Sequence, residues 1–377
     1  MYHPTVLSLF SGCGGLDLGF SLSGFEVKLA IDHWSGAVDI HRKNRDLIGG
    51  ECIQKSLKLS DNEINLSELP KVDVILGGPP CQGFSFAGKQ RVDDPRNRLY
   101  LDFKAIVEYL KPKVFLMENV RGLEKMALSA IQESFNEIGY DVNINRVEAI
   151  KLGIPQRRER IIIVGTKTGH PKFKTPDILL GGLFAPSIDV RSVMDAISDL
   201  PKPEAAKSAI DSISFLDDHA FYPLSEIEQN FIRHIPNGGY YADAPRSSLP
   251  ERLKKIYDEP LKYKSPRLFP KADPLRPSQT VPASSSPSIG GVIAPDLDYS
   301  GNEVLPVDTD EHSFEGMYTA PNGSRRFTPR EMARLQTFPD QFLFTGSSTS
   351  KIKAIGNAVP VELARVFATE IRSQFFS

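Results

Sequence analysis

Val72-Asp73-Val74-Ile75-Leu76-Gly77-Gly78-Pro79-Pro80-Cys81-Gln82-Gly83-Phe84-Ser85 is a β-branched apolar run that stops in glycine, proline and a single thiol. The run from Val72 to Leu76 predicts a buried strand, so Cys81 stands just past a strand's C-terminal end. In open α/β sheets that is where ligands bind. Two prolines hold the chain extended ahead of the thiol, while Gly77, Gly78 and Gly83 permit close backbone approach. A thiol so placed is a candidate nucleophile. A free cysteine is more often a small buried hydrophobe, but rigid prolines and flanking glycines argue against core filling.

The 377 residues can bury one large core or two smaller ones, so a catalytic domain with a second substrate domain is the natural expectation. Forty-five Lys and Arg against 47 Asp and Glu leave a net charge of −2. Any nucleic-acid surface must therefore be a local basic patch, not a global field. Three cysteines, Cys13, Cys52 and Cys81, are too few and too irregularly spaced for a disulfide framework or a zinc site. A reducing cytosol fits them. No apolar run approaches the roughly 20 residues of a membrane span and the N-terminus has no basic start, so the expectation is a soluble, unprocessed intracellular protein without metal.

Upstream, Thr5 to Phe10 predicts a first strand, and Ser11-Gly12-Cys13-Gly14-Gly15-Leu16-Asp17-Leu18-Gly19-Phe20 a glycine turn running into a helix. That arrangement lets a nucleotide-like ligand lie against bare backbone. Its spacing departs from G-x-G-x-x-G, and glycine loops are often only tight turns. A second strand from Glu26 to Ile31 ends at Asp32, where an acid would meet ribose hydroxyls; alone, such an aspartate is more often a strand-end or cap residue. His33 and Trp34 follow and could stack on a purine. Arg42 to Leu69 is polar and irregular, and Cys52 within it reads as structural.

Downstream, Phe86 to Arg98 is rich in charge and reads as a mobile loop carrying Arg91, Arg96 and Arg98: a solvated loop, or one that closes over an anionic substrate. Leu99 to Leu110 has helical apolar spacing. Val114 to Met117 predicts a strand delivering Glu118-Asn119-Val120 one strand on from Cys81. Glu118 is then either a carboxyl with a raised pKa at the lip of an apolar sheet or a cap for the next helix. Another strand is expected from Gly139-Tyr140-Asp141-Val142 to Val147. Gln156-Arg157-Arg158-Glu159-Arg160 leads into the strand Ile161 to Gly165, and Arg158 and Arg160, two apart, should share one face. Guanidiniums there could bind phosphate and depress a thiol pKa. Arg246 to Lys271 is locally basic, usually the mark of a solvated face. Ser324 to Phe338 predicts a turn into a helix with Pro329 near its start, and Val361 to Ile371 a helix packing back on the first domain.

Taken in order, Phe10-Ser11-Gly12-Cys13-Gly14-Gly15, Pro79-Pro80-Cys81-Gln82-Gly83-Phe84-Ser85, Glu118-Asn119-Val120, Gln156-Arg157-Arg158-Glu159-Arg160, Arg276-Pro277-Ser278-Gln279-Thr280-Val281, Pro329-Arg330-Glu331 and Gly356-Asn357-Ala358-Val359-Pro360 closely resemble the DNA (cytosine-5)-methyltransferase family. The resemblance spans nearly the whole chain. It implies an α/β fold: a Rossmann-like S-adenosylmethionine-dependent methyltransferase domain with a mixed, mainly parallel sheet, over 1–185 and completed by 345–377, plus a smaller DNA-recognition domain and hinge over 186–344. It further implies Cys81 as nucleophile, Glu118 as the acid at ring nitrogen 3, and Arg158 and Arg160 on the base carbonyl and neighbouring phosphate. For the cofactor it implies Phe10, Gly12, Gly14, Gly15, Leu16, Asp32, His33, Ser56, Leu57, Pro79, Leu99, Asn357 and Val359. The family's acidic residue after the third strand is missing from Gln54-Lys55-Ser56-Leu57, where Ser56 takes its place. Gln82, Ser85, Arg96 and Thr280 would contact DNA, and the loop from Gln82 to Arg98 would close behind a flipped cytosine.

The compact chain points to a bacterial restriction-modification setting: a cytoplasmic, nucleoid-associated monomer acting on double-stranded DNA, with a cognate endonuclease acting separately and S-adenosyl-L-homocysteine as product. Two readings compete with it. A relative of the family methylates tRNA cytosine with the same thiol and glutamate, and non-catalytic members serve as scaffolds, although these usually lose the thiol or the glutamate. A thiol oxidoreductase is a third, but Cys81 has no partner at C-x-x-C spacing.

Overall fold

A computed structural model describes residues 2–80, 99–125, 128–180, 189–205, 215–221, 223–260, 262, 268–284, 292–307 and 324–377. The apolar runs form one seven-stranded sheet: β1 (Thr5–Leu9), β2 (Glu26–Asp32), β3 (Glu51–Gln54), β4 (Val74–Gly77), β5 (Val114–Val120), β6 (Tyr140–Glu148) and β7 (Glu159–Lys167). Their order is β3-β2-β1-β4-β5-β7-β6. β1 pairs parallel with β2 and β4, β2 with β3, and β4 with β5, whereas β7 runs antiparallel to both β5 and β6. This is the mixed, mainly parallel sheet expected. Strand order reverses between β1 and β4, so the carboxyl ends of these two strands open on a common crevice.

Among the described residues of the first part of the chain the α-helices are α1 (Gly15–Leu22), α2 (Ser35–Lys43), the single turn α3 (Arg45–Ile48), α4 (Leu99–Leu110) and α5 (Leu128–Glu137). β4 carries Val74, Ile75 and Leu76 with no exposure, as a strand covered on both faces should. One face of the sheet is sealed by Phe103 of α4, Phe115 of β5 and Phe135 of α5, whose ring centroids lie 4.3 to 6.3 Å apart. All three are fully buried, each contributing about 1.5–3 kcal/mol of apolar transfer. A later helix, Val361–Phe375, packs on α1. A Cβ at Gly19 would stand 2.4 Å from Ala364 Cβ, so only glycine lets these two helices approach so closely.

The chain divides into two compact units, Met1–Leu152 with Arg158–Ile188 and Ala358–Ser377, and Gly153–Arg157 with Asp189–Asn357. The sequence reading resumes the first domain at 345; here its C-terminal part starts at Ala358, and the short run Gly153–Arg157 groups with the second unit. That unit has little regular structure among its described residues. Its apolar cluster, including Phe231, Ile232, Tyr241, Leu253, Phe269 and Ile293, joins helices Glu226–Ile232 and Glu251–Asp258 to irregular chain. Ion pairs complete the interior: Lys271–Asp296 at 2.9 Å, Arg330–Asp218 at 3.1 Å, Lys351–Asp218 at 3.0 Å and Arg325–Glu331 at 2.7 Å. Helix Pro329–Leu335 starts on a capping box, Thr328 accepting from the Glu331 N–H and Glu331 from the Thr328 N–H, with proline at its first position as the sequence predicts.

Candidate active site

At the end of β1 the chain turns sharply. Phe10 takes φ 54°, a left-handed conformation that costs an aromatic residue on the order of 1–2 kcal/mol. The turn lets the Ser11 N–H reach the Ile31 carbonyl at 3.2 Å and opens the glycine loop, with Gly12 at φ 55° and Gly14 at φ 95°. Asp32 ends β2 and works in two directions: Oδ2 accepts the Gly12 N–H at 2.9 Å and Oδ1 the Trp34 N–H at 2.8 Å. It is thus both the turn residue before α2 and a brace for the loop. Each carboxylate oxygen keeps a further lone pair for a hydroxyl ligand. The bare loop and this carboxylate fit a nucleoside-type group.

On the neighbouring strands a second set of groups converges. Glu118 lies inside β5, paired in register with Ile162 of β7, so it caps no helix. Its carboxylate meets Arg160 of β7 in an ion pair of 2.6 Å, each side chain 14% exposed. The next residue, Asn119, donates its side-chain N–H to the Pro79 carbonyl at 3.1 Å. A Cβ at Gly78 would stand 3.5 Å from Glu118 Oε2. The run Gly78-Pro79-Pro80 therefore passes beside the Glu118–Arg160 pair immediately before Cys81. Arg158 is more deeply buried than Arg160. It precedes β7, is 1% exposed and donates Nη2–H to the Ala358 carbonyl at 2.9 Å. Burial, with the Arg160 charge beside it and against the pull of Glu118, pushes its guanidinium well below the usual range.

A family model for the C-5 cytosine-specific DNA methylases matches residues 4–373. The chain belongs to that family. This methylase is 31% identical over 402 residues to the type II methyltransferase M.DdeI of Desulfomicrobium norvegicum, covering 98% of this chain and 89% of the relative. It is 34% identical over 383 residues to the type II methyltransferase M.NgoFVII of Neisseria gonorrhoeae, covering 96% and 86%. Among solved structures, a prophage-encoded E. coli protein described as a DNA modification methyltransferase superposes with a TM-score of 0.66 at 25% identity, covering 99% of this chain and all of that one.

The remaining sequence-predicted residues of the methylase are placed unevenly. Gly15, Leu16, Leu57 and Val359 are buried in the first unit, while the His33 side chain is exposed, its Nδ1 3.4 Å from Asp32 Oδ1. Ser56 is engaged locally, its N–H donating to Glu63 and its hydroxyl to Asp61, both at 2.6 Å. Leu99 opens α4, and Asn357 closes helix Ser348–Asn357 of the second unit. Thr280 is exposed and donates its hydroxyl to the Arg157 carbonyl at 2.6 Å. Cys81, Gln82, Ser85, Arg96 and the rest of 81–98 lie outside the described residues. Of the other cysteines, both buried, burial pushes the Cys13 thiol up to about 12, which leaves it unreactive. Among the described residues no cluster of three metal-binding side chains occurs, and no helix is long and apolar enough to cross a membrane.

Two site residues escaped the sequence reading. Asn119 was quoted only as part of a motif, yet it ties the glutamate strand to the proline run. His41 is 1% exposed beneath the glycine loop, 2.9 Å from Asp17. Its signal was its place on the apolar face of α2, three and four residues after Val38 and Ala37.

Proposed function

We propose that this methylase transfers the methyl group of S-adenosylmethionine to carbon 5 of a cytosine flipped out of a specific duplex DNA sequence, through a covalent bond from Cys81 to carbon 6. One observation carries the proposal: Pro79, two residues before Cys81, is tied by Asn119 to the strand whose Glu118 carboxylate pairs with Arg160. A thiol, an acid and a guanidinium are what this reaction needs in one place.

Carbon 5 of cytosine is too weak a nucleophile to take a methyl group unaided. Addition of the Cys81 thiolate to carbon 6 forms a C–S bond and turns the ring into an enamine. Glu118 donates a proton or a strong hydrogen bond at ring nitrogen 3, stabilising the charge that addition creates. Arg160 holds Glu118 in position and faces the base carbonyl, while Arg158, buried on the Ala358 carbonyl, fixes the chain that presents Arg160. Bound S-adenosylmethionine supplies the electrophilic methyl. Loss of the carbon 5 proton to a base then expels the thiolate and restores the aromatic ring. A stacked cytosine offers neither ring face to a thiol, so the base must leave the duplex.

The residues that would hold the cofactor are the glycine loop with Gly12, Gly14, Gly15 and Leu16, Phe10 against the adenine, Asp32 on the ribose, and His33, Ser56, Leu57, Pro79, Leu99, Asn357 and Val359 around them. Gln82, Ser85 and Arg96 would touch DNA, with Thr280 on its backbone. Phosphate contacts of this kind make DNA binding strongly salt-dependent. Two relatives are named type II methyltransferases, which supports a restriction-modification setting: a cytoplasmic bacterial monomer working beside a separate endonuclease.

The test is radiolabelled methyl transfer from S-adenosylmethionine to unmethylated genomic DNA, with tRNA and a Cys81→Ala variant alongside, followed by bisulfite sequencing. The expected result is label on DNA at one recurring motif, abolished in the variant while cofactor binding persists. Label on tRNA alone would overturn the substrate, and none on either would leave a non-catalytic scaffold.

A further inference from the structure

A buried ion pair lies directly beneath the glycine loop. His41, in the last turn of α2 and 1% exposed, places Nε2 2.9 Å from Asp17 Oδ2. Asp17, in the first turn of α1 and fully buried, accepts the Ser8 hydroxyl of β1 on its other oxygen at 2.5 Å. One network thus joins the strand before the loop, the helix after it and the helix beside it. The contact with the loop is direct. A Cβ at Gly14 would stand 2.9 Å from His41 Cδ2 and 2.6 Å from Ile48 Cδ1, so the imidazole edge is the floor on which Gly14 rests. From the opposite side Asp32 holds the Gly12 N–H. α1 has no side-chain cap at Gly14, so beside the backbone bonds of Ser11 to Ile31 and Leu18 to Gly14 the loop is braced by the His41 edge, Ile48 and Asp32.

A buried ion pair stabilises a fold no better than an apolar pair of similar volume. What it adds is geometry, a fixed distance and a fixed ring plane. We propose that Asp17 and His41 are positioning residues for the cofactor: the pair sets the glycine loop's height above β1, and with it the affinity for S-adenosylmethionine. The inference rests on the cofactor assignment made under Proposed function, and names two residues which that assignment does not contain.

The experiment uses the full chain. In Asp17→Asn with His41→Phe, both buried charges are removed together, the ring volume is kept and the Ser8 acceptor is retained. Calorimetric Kd for S-adenosylhomocysteine and steady-state KM for S-adenosylmethionine should rise by about tenfold or more, while the DNA KM stays unchanged and kcat at saturating cofactor stays within about threefold. A second variant, His41→Gln, keeps an N–H donor toward Asp17 but withdraws the ring from beneath Gly14, and should weaken the cofactor in the same way. Unchanged cofactor affinity in either folded variant overturns the positioning role and leaves a structural pair. Absence of S-adenosylhomocysteine binding by the wild type overturns the cofactor assignment itself, and this inference with it.

Discussion

The two units keep their interiors by opposite means. The sheet unit buries uninterrupted apolar strands and three phenylalanines packed edge-on or tilted, and among its described residues the buried charges gather near the glycine loop, at Asp17, His41 and Asp32, and around the Glu118–Arg160 pair with Arg158. The second unit has, among its described residues, short helices, few strands and an interior held by Lys271–Asp296, Arg325–Glu331 and the Asp218 carboxylate shared by Arg330 and Lys351. Apolar burial is non-directional and tolerates small shifts, whereas buried charges fix distances and fail sharply when one partner is lost. The difference separates a scaffold that must persist from a surface whose irregular chain is held in one shape.

Each prediction presses on that contrast, in order of expected effect on stability. Asp218→Ala removes the fully buried carboxylate that two buried cations share and should cost about 3–5 kcal/mol. Denaturant titration with limited proteolysis should show the second unit opening first; a cost below about 1 kcal/mol would mean that its ion pairs do not hold it. The next test is pH. Burial alone would lower the His41 ring, but the Asp17 carboxylate, and the Cys52 thiol that also faces it, hold it up at about 10 from an ordinary 6.5. A raised imidazolium contributes stability that is fully present below about pH 6.5 and is lost as pH climbs through about 10. Melting temperature should therefore fall from pH 7 to 10 more steeply in the wild type than in the Asp17→Asn, His41→Phe double variant; parallel curves would reject the link.

Thr328→Ala removes a helix cap in the second unit and should cost about 1–2 kcal/mol by denaturant midpoint, with Thr328→Ser recovering most of it. Glu118→Gln keeps an oxygen acceptor opposite Arg160 and should change stability least, by about 1 kcal/mol. Methyl transfer should nevertheless drop by about 10² to 10⁴. Near-normal rates with normal folding would reduce the carboxylate to a bystander.

Legibility in the sequence follows the same division. Val74-Ile75-Leu76, Val114 to Met117 and Ile161 to Gly165 announce strands because covered strands are apolar at every position, and Leu99–Leu110 matches its predicted span. Glu118-Asn119-Val120 lies inside the strand rather than after it, because the antiparallel partner β7 extends the ladder to Val120. β3 was hidden in a stretch read as irregular: it is an edge strand of four residues with only Cys52 and Ile53 apolar. The motifs single out Asp32, Glu118 and Arg160, which stand at a strand's end or within two residues of one. They did not expose His41, whose partner Asp17 sits 24 residues away on another helix. The second unit was least legible, because ion pairs such as Arg330–Asp218, 112 residues apart, leave no periodic trace.

The contact of Gly19 with Ala364 has a consequence for the order of events during synthesis. Ser23, at the C-terminal end of α1, reaches the Arg365 carbonyl across 342 residues of chain. In synthesis α1 precedes Val361–Phe375 with the whole second unit between them, so the α1 face that this helix covers stays bare until the helix has emerged. The sheet unit consequently cannot close ahead of its neighbour. Until that late helix arrives, α1 lacks the partner that covers Gly19.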